Sequence, residues 1–334
     1  MISDTHDTIV PEEPGSIEPG LTVAKLDGVS DSRHLLRDVG TAATATAAGA
    51  GASWAAYNVL VWQAQKARTV IPHRTDNAPN GDGVYFADGS GPHRAGRDRT
   101  YDLHLMVFGD STAAGLGSDV ADETPGVRVV RKVAAQTGRT IRYSNKAIVG
   151  ATSKGLAAQI DATLIAGERP DVVVILVGAN DVTARNGIRA SANRLGAAVR
   201  RLREIDAGVV VGTCPDLGVI SAIPQPLRAV LRLWGLRLAA RQGAAVRGAG
   251  GHPVPLADLL AEEFKAEPDH LFSADQYHPS AAGYELAAAI LTPAVMDAIG
   301  EWGPAPLPEP PEMSETVPTS RLMSRLLRRA RQVD

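Results

Sequence analysis

Between residue 101 and about residue 300 the chain alternates short apolar runs with longer mixed stretches. The apolar runs are Leu103–Phe108, broken only by His104, then Thr140–Ser144, Val172–Val177, Val209–Thr213 and a short one near Val254. Runs this short, bounded by glycine and polar residues, read as buried strands. The stretches between them, at about 123–137, 153–166, 190–205, 227–246 and 280–298, read as helices. Strands alternating with helices predict an α/β domain: a parallel sheet of about five strands, covered by helices on both faces, in three layers.

The pattern outside that region is different. Residues 1–34 carry Pro, Gly, Glu, Asp and Ser without hydrophobic periodicity and read as a disordered leader. Residues 35–70 read as a hydrophobic helix, built around residues 39–62, which carry no charge. The uncharged run is long enough to span a bilayer, and Trp54, Tyr57 and Trp62 suit an interface. It is weakly apolar, because alanine, glycine and threonine dominate it. It is therefore expected to be a membrane anchor or export segment, with a small-residue helix on the protein surface as the alternative. The corresponding location is the cell envelope, with the cytoplasm as alternative. Residues 71–100 read as a connecting loop region. Residues 301–319 form a proline-rich linker, and residues 320–334 a basic amphipathic tail in which Leu322, Met323, Leu326 and Leu327 share a face ringed by arginine. Membrane-surface contact is expected through 39–62 and 320–334. There is no internal repeat.

Composition changes this picture little. The 334 residues hold 34 basic and 37 acidic side chains, so no global footprint for nucleic acid exists. One cysteine, Cys214, excludes an intrachain disulfide and a cysteine-rich metal site. Gly115-Leu-Gly117 lacks the third glycine of a dinucleotide fingerprint and the Lys-Ser/Thr of a phosphate loop. No cofactor or metal is expected, and a monomer is.

Candidate chemistry gathers where apolar runs end. Leu103–Phe108 stops in Gly109-Asp110-Ser111, where Gly109 permits a sharp turn and the serine falls at the carboxyl edge of a strand. A serine hydroxyl needs a base to become a nucleophile. Asp275-Gln-Tyr-His278-Pro279 supplies one: a carboxylate three residues from an imidazole can hold Nδ1–H while Nε2 faces the serine. The developing oxyanion needs fixed donors. Val172–Val177 ends in Gly178-Ala-Asn180-Asp181, and the Asn180 amide can donate. The second strand leads to Gly150, whose backbone N–H can approach a substrate with no side chain in the way, and the N–H of Ser111 is a third donor. Asp110 reads as a turn former or helix N-cap, and Asp181 as a residue that holds its turn. His93, His104, His252 and His270 read as structural or solvated.

Gly109-Asp110-Ser111, Gly150 in Val-Gly-Ala-Thr, Gly178-x-Asn180-Asp181 and Asp275-x-x-His278-Pro279, in that order, resemble the four blocks of the SGNH (GDSL-type) serine hydrolases. The resemblance covers about residues 103–298, and Thr112 stands where the family name has leucine. It implies a flavodoxin-like sheet over residues 101–300 and esterase or lipase chemistry. It implies Ser111 as nucleophile, Ser111, Gly150 and Asn180 as the oxyanion hole, His278 as base and Asp275 as its orienter. Thr213–Gly218 resembles a substrate-side loop of these enzymes, and the apolar, proline-broken stretch after Asp216 is expected to line an acyl pocket or form a flap. The expected substrate is a small-molecule, lipid or carbohydrate ester with a short acyl or acetyl group. An acyltransferase using the same residues and a catalytically silent membrane or envelope binding module are the competing readings.

Overall fold

The computed structural model describes residues 54–66, 78–94, 100–303 and 307. The expected leader and tail, most of the linker, and residues 39–53 of the uncharged run lie outside the described residues. Within them, residues 54–66 form a helix, α1, and no described helix is long and apolar enough to cross a membrane.

From Asn58 onward the chain forms one compact unit around a six-stranded sheet. In chain order the strands are β1 (Gly83–Tyr85), β2 (Leu103–Gly109), β3 (Ile141–Asn145), β4 (Val172–Leu176), β5 (Gly208–Gly212) and β6 (His252–Val254), arranged β1-β3-β2-β4-β5-β6. The five predicted strands are all present and pair in parallel. The sixth, β1, lies in the segment read as connecting loop and pairs antiparallel with β3. That segment is thus partly sheet. Three residues among glycine, proline and aspartate give no periodicity, and β1 gains its ladder only from an edge already built.

Every residue of β2, β4 and β5 is buried, as a central parallel sheet with both faces covered requires. Alternate side chains divide between two cores. Leu105, Val107, Val174 and Val210 face α3 (Pro125–Thr137) and, late in the chain, a helix over Ala281–Ala298. Met106, Phe108, Val173, Ile175, Val209 and Val211 face α4 (Leu156–Ile165) and a helix over Ile188–Arg203. Phe108 is fully buried, and its truncation to alanine would cost about 3–5 kcal/mol. These helices match the predicted ones within a few residues.

The remaining helices complete the carboxyl edge. In chain order they give α2 (Ser111–Ala114), α5 (Ala179–Thr183), α6 (Ile188–Arg203), α7 (Leu227–Gly248), α8 (Leu256–Ala266), α9 (Pro268–Leu271) and α10 (Ala281–Ala298). A third apolar cluster sits over this edge, with Val182, Cys214, Leu217, Ile220, Ile223, Leu227 and Leu238 at its centre. Leu60 and Ala64 of α1 pack against it.

Candidate active site

The turn after β2 holds Ser111. Gly109 has φ +136°, and a Cβ there would lie 1.9 Å from the Leu176 carbonyl oxygen, so no other residue fits. Asp110 N–H donates to that same carbonyl at 3.0 Å, fixing the turn against β4. The Asp110 carboxylate caps α2 by accepting from Thr112 N–H at 2.9 Å, the N-cap role expected of it. Ser111 is thereby the first residue of a short helix at the carboxyl edge, and it is buried.

The histidine expected to act as base lies 167 residues further along and comes into contact with it. His278 Nε2 is 3.0 Å from Ser111 Oγ, and His278 Nδ1 is 2.8 Å from Asp275 Oδ2. The loop carrying both closes on itself: Ser273 N–H donates to the His278 carbonyl at 2.8 Å, and Ser273 Oγ–H to Asp275 Oδ1 at 2.9 Å. Asp275 Oδ1 also accepts the backbone N–H groups of Tyr277 and His278, at 2.9 and 2.8 Å. Burial pushes the Asp275 carboxyl upward, but the bonds from the His278 ring and these two N–H groups prevail and hold it below the ordinary carboxylate range. A carboxylate that stays ionised keeps Nδ1 protonated and leaves Nε2 free to accept the serine proton.

Two loops flank Ser111, because β2 lies between β3 and β4 in the sheet. The loop after β3 carries Gly150, and Ile148 N–H ties it to the Gly109 carbonyl at 3.1 Å. Gly150 has φ +80°, and a Cβ there would meet no protein atom within 4 Å. This backbone conformation favours glycine. The turn after β4 carries Asn180 at the start of α5. Its Nδ2 donates to the Ala151 carbonyl at 3.0 Å, so the two flanking loops are joined directly.

Asp181 extends that junction. Its buried carboxylate accepts Ser153 N–H at 2.8 Å and the hydroxyls of Ser153 and Ser191 at 2.7 and 2.8 Å. Asn186 Nδ2 adds a bond at 3.2 Å, and Arg194 lies 3.8 Å away. Asp181 therefore holds more than its own turn. It ties the Gly150 loop to α5 and α6.

Sequence reasoning missed two glutamines. Gln159 on α4 is buried and pairs with both backbone groups of Gly109, accepting its N–H at 3.0 Å and donating to its carbonyl at 2.8 Å. Gln242 on α7 is fully buried and bridges two strand ends, donating to the Val177 carbonyl at 2.9 Å and accepting Cys214 N–H at 2.7 Å. The available signal was a polar residue at an inward position of each helix, beside Ile160 and Val246.

Electrostatics divides the buried acids. Burial drives Asp110 up to about 6, against the lowering effect of Thr112 N–H, the His278 ring and Gly178 N–H. Burial also raises the Cys214 thiol and the Tyr277 phenol, which stay protonated. The four other histidines named above take no part in the site. Burial pushes the most enclosed of them, His104, down to about 4, and its Nε2 lies 3.0 Å from Ser144 Oγ.

An apolar cavity of about 100 Å³ adjoins the site. Thr112 and Tyr277, neighbours in sequence of Ser111 and His278, form one side of it. Leu217 and Ile220 of the loop after β5 line another, with Leu260 and Phe264 of α8 beyond. The Tyr277 ring packs edge-on against the His278 ring, with centroids 5.0 Å apart. The stretch after Asp216 thus lines a pocket as expected, through Leu217, Val219 and Ile220, while Ile223 and Leu227 are buried in the cluster behind it.

Residues 107–286 match the model of the GDSL-like lipase/acylhydrolase family. The GDSL-like esterase Rv1075c of Mycobacterium tuberculosis is 54% identical over 280 residues, which span 83% of this chain and 89% of that protein. Among solved structures, TesA aligns at 26% identity and a TM-score of 0.46, covering 59% of this chain and 97% of its own. The lipase/acylhydrolase of Enterococcus faecalis aligns at 26% identity and a TM-score of 0.45, covering 61% and 99%. The chain belongs to the GDSL-like lipase/acylhydrolase family, and it is a carboxylic ester hydrolase.

Proposed function

We propose that the chain cleaves short-chain acyl or acetyl esters through an acyl-enzyme on Ser111. The observation that carries this reading is the continuous bond from Asp275 through His278 to Ser111 Oγ. His278 takes the Ser111 proton as Oγ attacks the ester carbonyl. The tetrahedral oxyanion is met by the N–H groups of Ser111 and Gly150 and by the Asn180 amide, which turns from Ala151 to reach it. His278 returns the proton to the leaving alcohol, and water then cleaves the acyl-enzyme by the reverse sequence.

The cavity beside Thr112 and Tyr277 supports the short acyl group. Its volume of about 100 Å³ is smaller than an engineered cavity of about 150 Å³ that holds benzene, which favours an acyl chain of roughly four carbons. The test is a series of p-nitrophenyl esters of increasing length, run with wild type and Ser111→Ala side by side. Turnover is expected to peak at two to four acyl carbons, and Ser111→Ala is expected to lose both turnover and labelling by a fluorophosphonate. A peak at long chains overturns the acyl assignment. An active, labelled Ser111→Ala overturns the nucleophile.

A further inference from the structure

From Asn58 onward α1 presents two different stripes. Leu60, Gln63 and Ala64, spaced one turn apart, face the protein, and Leu60 and Ala64 pack in the cluster that contains Leu227, Leu231 and Trp234 of α7. Gln63 is only 6% exposed. Its amide donates to the Gln225 carbonyl and accepts Leu227 N–H at 3.0 Å, so α1 is fastened to the first residue of α7. The second stripe faces outward. Val59 is 45% exposed and Trp62 59%, and Lys66 Nζ lies 5.4 Å from the centre of the Trp62 ring. A tryptophan this exposed, backed by a lysine, is the pairing that sits well at a membrane–water boundary.

The neighbouring helices carry a matching charge. Helices α6 and α7 hold five arginines each and no aspartate or glutamate. They lie side by side, Gly196 against Ala245, in a chain whose net charge is −3. Arg194 and Arg232 are committed to Asp181 and Asp216, and Arg201 to Asp161. Arg237, Arg241 and Arg247 are exposed and have no carboxylate partner among the described residues. Trp234, Arg237 and Arg241 recur at i, i+3 and i+7, so the arginine row begins at a residue of the cluster that Leu60 and Ala64 pack against. The sequence that leads into α1, residues 39–53, carries no charge to hold it off an anionic surface.

We propose that this α1–α7 surface docks on an anionic phospholipid bilayer. Trp62 and Val59 enter the boundary between headgroups and acyl chains, and Arg237 and Arg241 lie against lipid phosphates. The docked helix lies on the membrane and does not cross it. Gln225 and Leu227, which α1 fastens, end the loop whose Leu217, Val219 and Ile220 line the cavity beside Thr112, so docking would place that loop near the lipid. That last consequence rests on the proposed esterase site, whereas the docking does not.

The test uses the full chain with vesicles of phosphatidylcholine alone and of phosphatidylcholine with phosphatidylglycerol. Co-sedimentation is expected with the anionic vesicles, weak with the neutral ones, and diminished by salt. Arg237→Glu/Arg241→Glu and Val59→Ser/Trp62→Ser are each expected to weaken binding about tenfold or more. Both pairs are exposed, so turnover of a soluble short-chain ester is expected to stay at the wild-type level in each, which reports folding and Ser111 chemistry separately from docking. Failure to bind anionic vesicles overturns the proposal. So does wild-type binding by both paired variants, since another segment would then carry the contact. Equal displacement by duplex DNA or by an acidic polysaccharide also overturns it, by showing a general polyanion surface.

Discussion

The two sides of Ser111 are built by opposite strategies. On the base side one loop does everything: Asp275, Tyr277 and His278 lie within four residues, and the carboxylate serves ring and backbone at once. On the side proposed to hold the oxyanion the parts come from three separate segments, the Gly150 loop, α5 and α6, and Asp181 gathers them through Ser153 and Ser191. A local device is set as soon as its loop closes. A dispersed one is only as well set as the fold around it. The difference teaches where to look for sensitivity: the base side through the chemistry of one carboxylate, the oxyanion side through packing and stability.

The largest expected effect is on the base side. Asp275→Asn removes the charge that holds the imidazole and admits the wrong tautomer, with an expected loss of about 10⁴ in kcat on a short-chain ester. A loss below about tenfold would show that the loop alone orients His278. Next comes Asn180→Ala, expected to lower kcat by about 10²–10³ with KM little changed, as the loss of one oxyanion donor does. Equal effects on kcat and on substrate affinity would instead place Asn180 in ground-state binding.

Asp181→Asn sharpens the comparison further. It leaves one acceptor oxygen for four donated bonds, and no carboxylate beside Arg194. Stability is expected to fall by about 1–3 kcal/mol in denaturant unfolding, and kcat by roughly tenfold. An unchanged unfolding midpoint with the full loss of rate seen for Asn180→Ala would break the distinction drawn between the two sides.

The smallest effect concerns Asp110. Its folded pKa is raised to about 6, above that of an unfolded aspartate, so the native state holds an extra proton between roughly pH 4 and pH 6. Stability is therefore expected to decline as pH rises through that window and to level above it. Asp110→Asn keeps an acceptor for Thr112 N–H and is expected to flatten the decline. Asp275 acts in the opposite sense: its lowered pKa supplies stability above the unfolded carboxylate pKa that is lost as pH falls. Equilibrium unfolding of wild type and Asp110→Asn from pH 4 to pH 7 separates the two.

The same contrast governs what the sequence discloses. Five parallel strands were legible because each is an unbroken apolar run between turn residues. Residues Ser111, Asp275 and His278 were legible because strand end, serine and D-x-x-H carry their chemistry in a few adjacent letters. Gly150 was legible as a position, and its φ of +80° adds a backbone reason for glycine that the sequence did not show. Strand β1 was not legible, because three residues on an edge owe their conformation to β3. Gln159, Gln242 and the full reach of Asp181 were not legible either. Each joins backbone or hydroxyl groups that are tens of residues apart in sequence, and no local pattern records the distance that folding closes.

Gln63 shows what such long-range fastening does to the chain's modular appearance. An N-terminal segment of this kind looks detachable, something to be trimmed to obtain the enzyme alone. Yet the amide of Gln63 is the partner of Gln225 and Leu227, and Leu60 and Ala64 cover the cluster behind the cavity. A chain shortened past Lys66 would bare that cluster and leave the Gln225 carbonyl and the Leu227 N–H to water. One helix thus carries both the surface proposed to meet lipid and the packing that holds the start of α7, and trimming it would remove the two together.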